Sequence, residues 1–161
     1  MKEYAMKSTT KKHSSLSNAN MLALLNQSLA ELIALKLNAK QAHWNVKGKN
    51  FQQLHELFDQ VATEADGFAD LVAERIVQLG GIAEGTIAHL NKRASDTTYP
   101  AVQESDKHVK LIATAIAGAA GHTRAAIDTS SDHADQVSAD IFTEITRGLD
   151  KLQWFVSSHQ A

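Results

Sequence analysis

Helix breakers are scarce in this chain. It holds one proline, Pro100, and eight glycines in 161 residues, and such sparse punctuation favours long helices. Between the breaks, apolar residues recur at helical spacing. Met21, Leu22, Leu25, Leu29, Leu32 and Ile33 predict a first helix over about 20–46, which "NVKGKN" ends with Gly48 as the stop. Leu54, Phe58, Val61, Ala65, Phe68, Leu71, Val72 and Ile76 predict a second helix over about 51–79, closed by Gly80 and Gly81. The stretch from Gly80 to about Gln103 is long for a helix–helix link, so it must cross the bundle or carry a short helix. "ESDKHVKLIATAIAGAAGHTRAAID" reads as a third helix and "TSSD" as a break. A fourth helix is expected over about 133–157, with Ile141, Phe142, Ile145, Leu149, Leu152 and Phe155 inward. The expected architecture is all-α: a four-helix bundle with a long crossover between the second and third helices.

The length suits one domain with a full core. There is no cysteine, which excludes disulfide frameworks, thiolate zinc sites and iron–sulfur clusters. The first twenty residues have no apolar core, so they do not read as a secretory signal. The longest strongly apolar run, "MLALL", is far short of a membrane span. A soluble, intracellular protein is expected, with no membrane partner. The net charge is −2, so the body as a whole has no basic excess to recruit nucleic acid. The beginning differs. Residues 1–13 carry Lys2, Lys7, Lys11 and Lys12 against the single acid Glu3 and are rich in Ser and Thr. Residues 1–19 are therefore expected to be a flexible basic tail and 20–161 the bundle.

The polar residues on the second helix carry the chemistry. On a wheel of about 100° per residue, His55, Asp59, Asp70 and Glu74 fall within about 100° of one another, on a single stripe. His55 and Glu74 are nonetheless roughly 28 Å apart along a straight helix, too far to share a metal within one chain. Symmetry offers a way. The pairs His55/Glu74 and Asp59/Asp70 are both centred on the Glu64–Ala65 bond. Two copies of the helix packed antiparallel about a two-fold axis there would set His55 against the partner's Glu74 and Asp59 against the partner's Asp70, an isologous contact that builds two equal sites. His43, at the end of the first helix, could complete each site.

Two imidazoles and three carboxylates suit iron(II), since carboxylates favour the ferric product, although zinc is also possible. The Glu-x-x-His signature of di-iron bundle cores does not occur, because no glutamate has a histidine three residues later. Taken singly, His55–Asp59 reads as a surface ion pair, as does Asp70–Glu74 with Arg75. The common stripe and common centre favour the metal. Trp44 reads as core or interface packing beside His43. His89, His108, His122, His133 and His159 have no matching acidic partners and read as surface residues.

"KQAHWNVKG", "LHELFD" and "DLVAERIVQLGG" resemble the ferroxidase signatures of the Dps family, the DNA-binding proteins from starved cells, which are ferritin-like four-helix bundles. The resemblance continues through Tyr99-Pro100 and "RGLDKLQWF" and covers about 20–157. It implies His43, His55 and Asp59 as ligands from one subunit and Asp70 and Glu74 from its neighbour, with Trp44 beside the site. It implies a hollow homododecamer with metal sites at two-fold contacts. Iron(II) would be oxidised there, preferentially by hydrogen peroxide, and kept inside as a ferric mineral. Acid-lined pores at three-fold axes would draw on Asp132, Asp135 and Asp140, with Asp132 and Asp140 two turns apart on the start of the last helix. Gln136 stands where some relatives have an acid. Non-specific DNA binding through Lys2, Lys7, Lys11 and Lys12 would make the protein cytoplasmic and nucleoid-associated. The alternative is an iron-detoxifying cage whose tail is only a solvated leader.

Overall fold

The computed structural model describes residues 6–95 and 98–160, with side chains from Asn18 onward. Five helices follow in order: α1 (Met6–Asn45), α2 (Phe51–Gln78), α3 (Ile87–Arg93), α4 (Ser105–Asp132) and α5 (Gln136–Ser157). The hairpins α1–α2 and α4–α5 pack on each other through α1 with α4 and α2 with α5. The bundle with a long crossover is the expected architecture, and the crossover does both things required of it: it spans the bundle and carries α3. Among the described residues there is no strand, only an isolated bridge between Lys47 and Glu104.

The core is the set of apolar stripes. Leu25, Leu32 and Leu35 of α1, Leu54, Phe58 and Ile76 of α2, Ile112 and Ile116 of α4, and Phe142, Ile145, Leu149 and Leu152 of α5 are all buried. Phe155 is only partly covered, and Val156 takes the inward place. Two glycines set how closely helices approach. A Cβ on Gly148 of α5 would collide with the Phe68 ring of α2, and one on Gly81 would lie 2.5 Å from Leu22 of α1.

The breaks behave as their chemistry requires. Gly48 (φ 104°) and Asn50 (φ 57°) turn the chain from α1 into α2 in the left-handed region, which Gly and Asn tolerate. Gly80 (φ 80°) closes α2, with the Gly81 N–H donating to the Ile76 carbonyl and the Gly80 N–H to that of Val77. Three side chains of α1 then hold the crossover. The Asn26 amide donates to the Ile82 carbonyl and accepts from the Glu84 N–H, Gln27 donates to the Arg93 carbonyl, and the Glu31 carboxylate accepts from the N–H and hydroxyl of Ser95.

Two boundaries differ from the sequence reading. The helix α1 begins at Met6 rather than near Asn20, so the backbone of residues 6–19 belongs to it. No glycine or proline separates that segment from the apolar stripe, and extending a formed helix costs far less than starting one. The second is "TSSD", which is the last turn of α4 and not a break. Ser130 is fully buried there and its hydroxyl points at the Met21 sulfur, while Thr129 bonds back to the Ala125 carbonyl. The chain turns instead at Ala134 (φ 58°), and α5 starts at Gln136 rather than His133.

Candidate metal centre

The turn at Gly48 and Asn50 folds the end of α1 onto the start of α2 and brings two imidazoles face to face. The His43 and His55 rings stack with centroids 3.7 Å apart and an interplanar angle of 22°. Their hydrogen bonds are reciprocal. Nδ1 of His43 lies 2.7 Å from the His55 carbonyl, and Nδ1 of His55 lies 2.8 Å from the His43 carbonyl. A carbonyl can only accept, so each Nδ1 carries the proton and each Nε2 keeps a free lone pair. Metal-binding imidazoles are held in this way, by a hydrogen bond on the nitrogen that does not bind. The Phe51 ring, 5.3 Å from that of His55, flanks the pair.

Asp59 lies one helical turn after His55, and both line a shallow open groove with His43, Glu56, Gln60, Thr63 and Glu64. Its carboxylate accepts from the Lys40 ammonium of α1. That hydrogen bond, opposed by partial burial and helped by the Lys40 charge, holds the Asp59 carboxyl below the usual carboxylate range. Asp59 is therefore an anion near neutral pH. Asp70 and Glu74 are exposed further along α2 and do not line this groove. Among the described residues of one chain, no three His, Asp or Glu side chains are gathered to hold a metal. The fold joins His43, His55 and Asp59 in one groove, turns Asp59 toward Lys40, and leaves Asp70 and Glu74 free on the same helix.

Trp44, expected in a core or an interface, is 68% exposed in the single chain, beside His43. Arg75 does not serve Asp70 or Glu74. It reaches α5, with Nη2 2.8 Å from Asp135 and Nε 3.0 Å from the Ser138 hydroxyl. Asp135 also caps α5 by accepting from the Ser138 N–H and hydroxyl. Burial pushes the Asp135 carboxyl up, but the Ser138 bonds and the Arg75 guanidinium outweigh it and leave the group below its ordinary value. This acid therefore has a structural task. Asp132 ends α4 and Asp140 lies on α5, both exposed, so they are not two turns apart on one helix as expected. The turn at Ala134 separates them. Lys2 lies outside the described residues, as do the side chains of Lys7, Lys11 and Lys12.

One histidine was misread. His108 is not at the surface; it is fully buried in α4, 2.8 Å by Nδ1 from the Tyr99 hydroxyl, with the Phe58 ring 6.2 Å away. Its spacing, four and eight residues before Ile112 and Ile116, places it on the apolar stripe, which is the signal that a search for acidic partners passes over. His122 is half-buried, with an enclosed Nε2.

Among the described residues, no helix is long and apolar enough to cross a membrane. The family model of the ferritin-like domain matches residues 22–161. A DNA protection during starvation protein of Agrobacterium fabrum is 40% identical over 157 residues, covering 96% of this chain and 97% of its own. The structure of Dps from Microbacterium arborescens in the high iron form superposes with a TM-score of 0.83 at 36% identity, covering 89% of this chain and 93% of its own. Dps from Bacillus brevis superposes with a TM-score of 0.85 at 29% identity, covering 90% and 97%. A bundle with this crossover, its paired histidines at the α1–α2 turn, and relatives aligned along nearly their whole length lead to one conclusion: the chain belongs to the Dps family of ferritin-like proteins.

Proposed function

We propose that the protein oxidises iron(II) at centres shared between two subunits and stores the ferric product inside a homododecameric cage. The reciprocal clasp of His43 and His55 carries this reading, because it leaves two Nε2 lone pairs beside the ionised Asp59. Asp70 and Glu74 of a facing copy supply the remaining carboxylates, and their common centre with His55 and Asp59 supports a two-fold contact. Carboxylate ligands favour iron(III), which drives oxidation and retention. The similarity to a Dps solved in a high iron form supports iron as the cargo.

Hydrogen peroxide is the oxidant in this reading. One peroxide takes two electrons, so two iron(II) ions and two protons yield two iron(III) ions and two waters with no radical released. Iron(II) bound anaerobically and then titrated with peroxide should be oxidised at two ions per peroxide, followed by the ferric absorbance. A ratio of one iron per peroxide, with radicals caught by a spin trap, would count against the shared centre. Entry past Asp132 and Asp140 remains part of the proposal, whereas the cap role of Asp135 gives it another reason to be an acid.

A second activity is supported by the name of the Agrobacterium fabrum relative, a DNA protection protein. Lys2, Lys7, Lys11 and Lys12 on every subunit would contact phosphates without reading sequence. Many weak arms on one cage bind by avidity, which would place the protein on the nucleoid in the cytoplasm. Deleting residues 2–12 should abolish retardation of DNA in a gel at low salt while iron oxidation is kept. Unchanged retardation refutes the role of the arm and leaves the iron cage standing alone.

A further inference from the structure

The pair formed by the partly buried Tyr99 and the fully buried His108 has no part in holding iron. Tyr99 lies in the crossover immediately before Pro100, and its hydroxyl is 2.8 Å from Nδ1 of His108 in α4. The two rings are nearly parallel, 15° apart, with centroids separated by 5.8 Å. Burial pushes the phenol up, so it carries its proton throughout the neutral range. Burial likewise lowers the His108 imidazole, while the carbonyls of Val102 and Asn45 and the charge of Glu104 pull it part of the way back. Nδ1 is taken by Tyr99, so those acceptors favour a proton on Nε2, which makes no hydrogen bond of normal geometry. The phenol is then the donor and Nδ1 the acceptor.

A partly buried phenol donating to a buried, neutral imidazole is an arrangement for losing an electron. The electron and the phenolic proton can leave together, and the proton needs to move only along an existing hydrogen bond. Burial works against the resulting imidazolium, and the backbone of Val102 and Asn45 and the charge of Glu104 offset part of that cost. The pair is also placed toward the metal groove. Phe58, whose ring centroid is 6.2 Å from that of His108, directly precedes Asp59 on α2, and Asn45 lies two residues after His43.

We infer that Tyr99 and His108 form a proton-coupled one-electron donor beneath the metal centre, reducing one-electron oxidants that form there when peroxide meets a single iron(II). This rests on the iron-oxidising reading above. A lone iron(II) and hydrogen peroxide yield iron(III), hydroxide and a hydroxyl radical. The Tyr99 O–H bond breaks, its proton passes to Nδ1 of His108, and its electron reduces the hydroxyl radical to hydroxide. The products are a neutral phenoxyl radical and an imidazolium. A further iron(II) returns the electron, becomes iron(III), and the proton goes back to the phenol oxygen. The damage is thereby turned into oxidation of a second iron.

The test uses the full chain with tyrosine deuterated in the ring, read by electron paramagnetic resonance after rapid freezing. In one arm the metal-free protein is photo-oxidised with ruthenium tris-bipyridine and persulfate. In the other it receives limiting iron(II) and peroxide. Both arms should give a radical signal narrowed by the deuterium, lost in Tyr99→Phe and kept in Tyr4→Phe. Removing the proton acceptor with His108→Gln should slow its formation by about a hundredfold, the ordinary worth of a positioned base. Slower formation in heavy water gives the same answer in the unaltered chain, should His108→Gln fail to fold. A photo-oxidation signal that survives Tyr99→Phe, or one indifferent to both His108 and heavy water, overturns the inference. So does a Tyr99 radical made by light but not by iron and peroxide in protein that still oxidises iron(II). Protein that forms the radical by light but oxidises no iron refutes the iron-oxidising reading and leaves the donor pair standing.

Discussion

Chains carrying His43→Ala with His55→Ala should lose fast iron(II) oxidation, and so should chains carrying Asp70→Ala with Glu74→Ala. Loss of a partner outside the ligand set commonly costs 10–100-fold, so removing two ligands should cost at least about a hundredfold. The informative sample is the mixture. If the two chains are dissociated, combined in equal amounts and reassembled, random pairing makes half of the two-fold dimers hybrid. In each hybrid one site has lost both halves and the other has kept both. About a quarter of the sites should therefore work again, although neither parent is active. The measurement is the initial rate of iron oxidation before and after reassembly. No recovery from verified hybrids would refute the shared centre, and full activity in either parent would refute the ligand assignment. The geometry supports the expectation: the clasped histidines and Asp59 line one groove, while Asp70 and Glu74 stand exposed beyond it.

Phe58→Ala should destabilise the chain by about 3–5 kcal/mol, the usual cost of emptying a fully enclosed aromatic position. Phe58 is wholly buried and lies among α2, α4 and the residues that support Tyr99. Phe58→Leu keeps much of the volume and should cost less than about 1.5 kcal/mol. Urea unfolding at one fixed protein concentration compares the three chains, since assembly makes stability concentration-dependent. A loss below about 1 kcal/mol in the alanine variant would mean that the α2–α4 seam can collapse onto the gap. Asp59, next in sequence, is anchored separately by Lys40. The histidine clasp is made of ring-to-carbonyl hydrogen bonds across the α1–α2 turn, so the groove should outlast this substitution as long as the bundle stays folded.

The helices were legible because helical burial is periodic. Leu54, Phe58, Val61, Ala65, Val72 and Ile76 are buried as their spacing requires, and Gly48 and Gly80 adopt positive φ at the breaks that they mark. The failures share a cause. Polar residues such as Thr129 to Asp132 look like a loop, but Ser130 is enclosed by α1 and the helix runs through them. His108 was read by its lack of acidic neighbours in sequence, whereas its partner is a tyrosine in the crossover. Arg75 was read with the acids beside it, and it bonds instead to Asp135, sixty residues on.

By itself the sequence determined which residues lie on which stripe, where the chain must turn, and that His55, Asp59, Asp70 and Glu74 share one line about one centre. Angular position on a helix follows from residue number alone, because its pitch is constant. The tertiary structure decided what each side chain meets across the bundle. It set the two imidazoles face to face with their Nε2 atoms free, gave Asp59 to Lys40 and Asp135 to Arg75, and buried His108 against Tyr99. Those pairings depend on how two helices approach, and that is fixed by packing between segments far apart in the chain, such as Gly148 against Phe68.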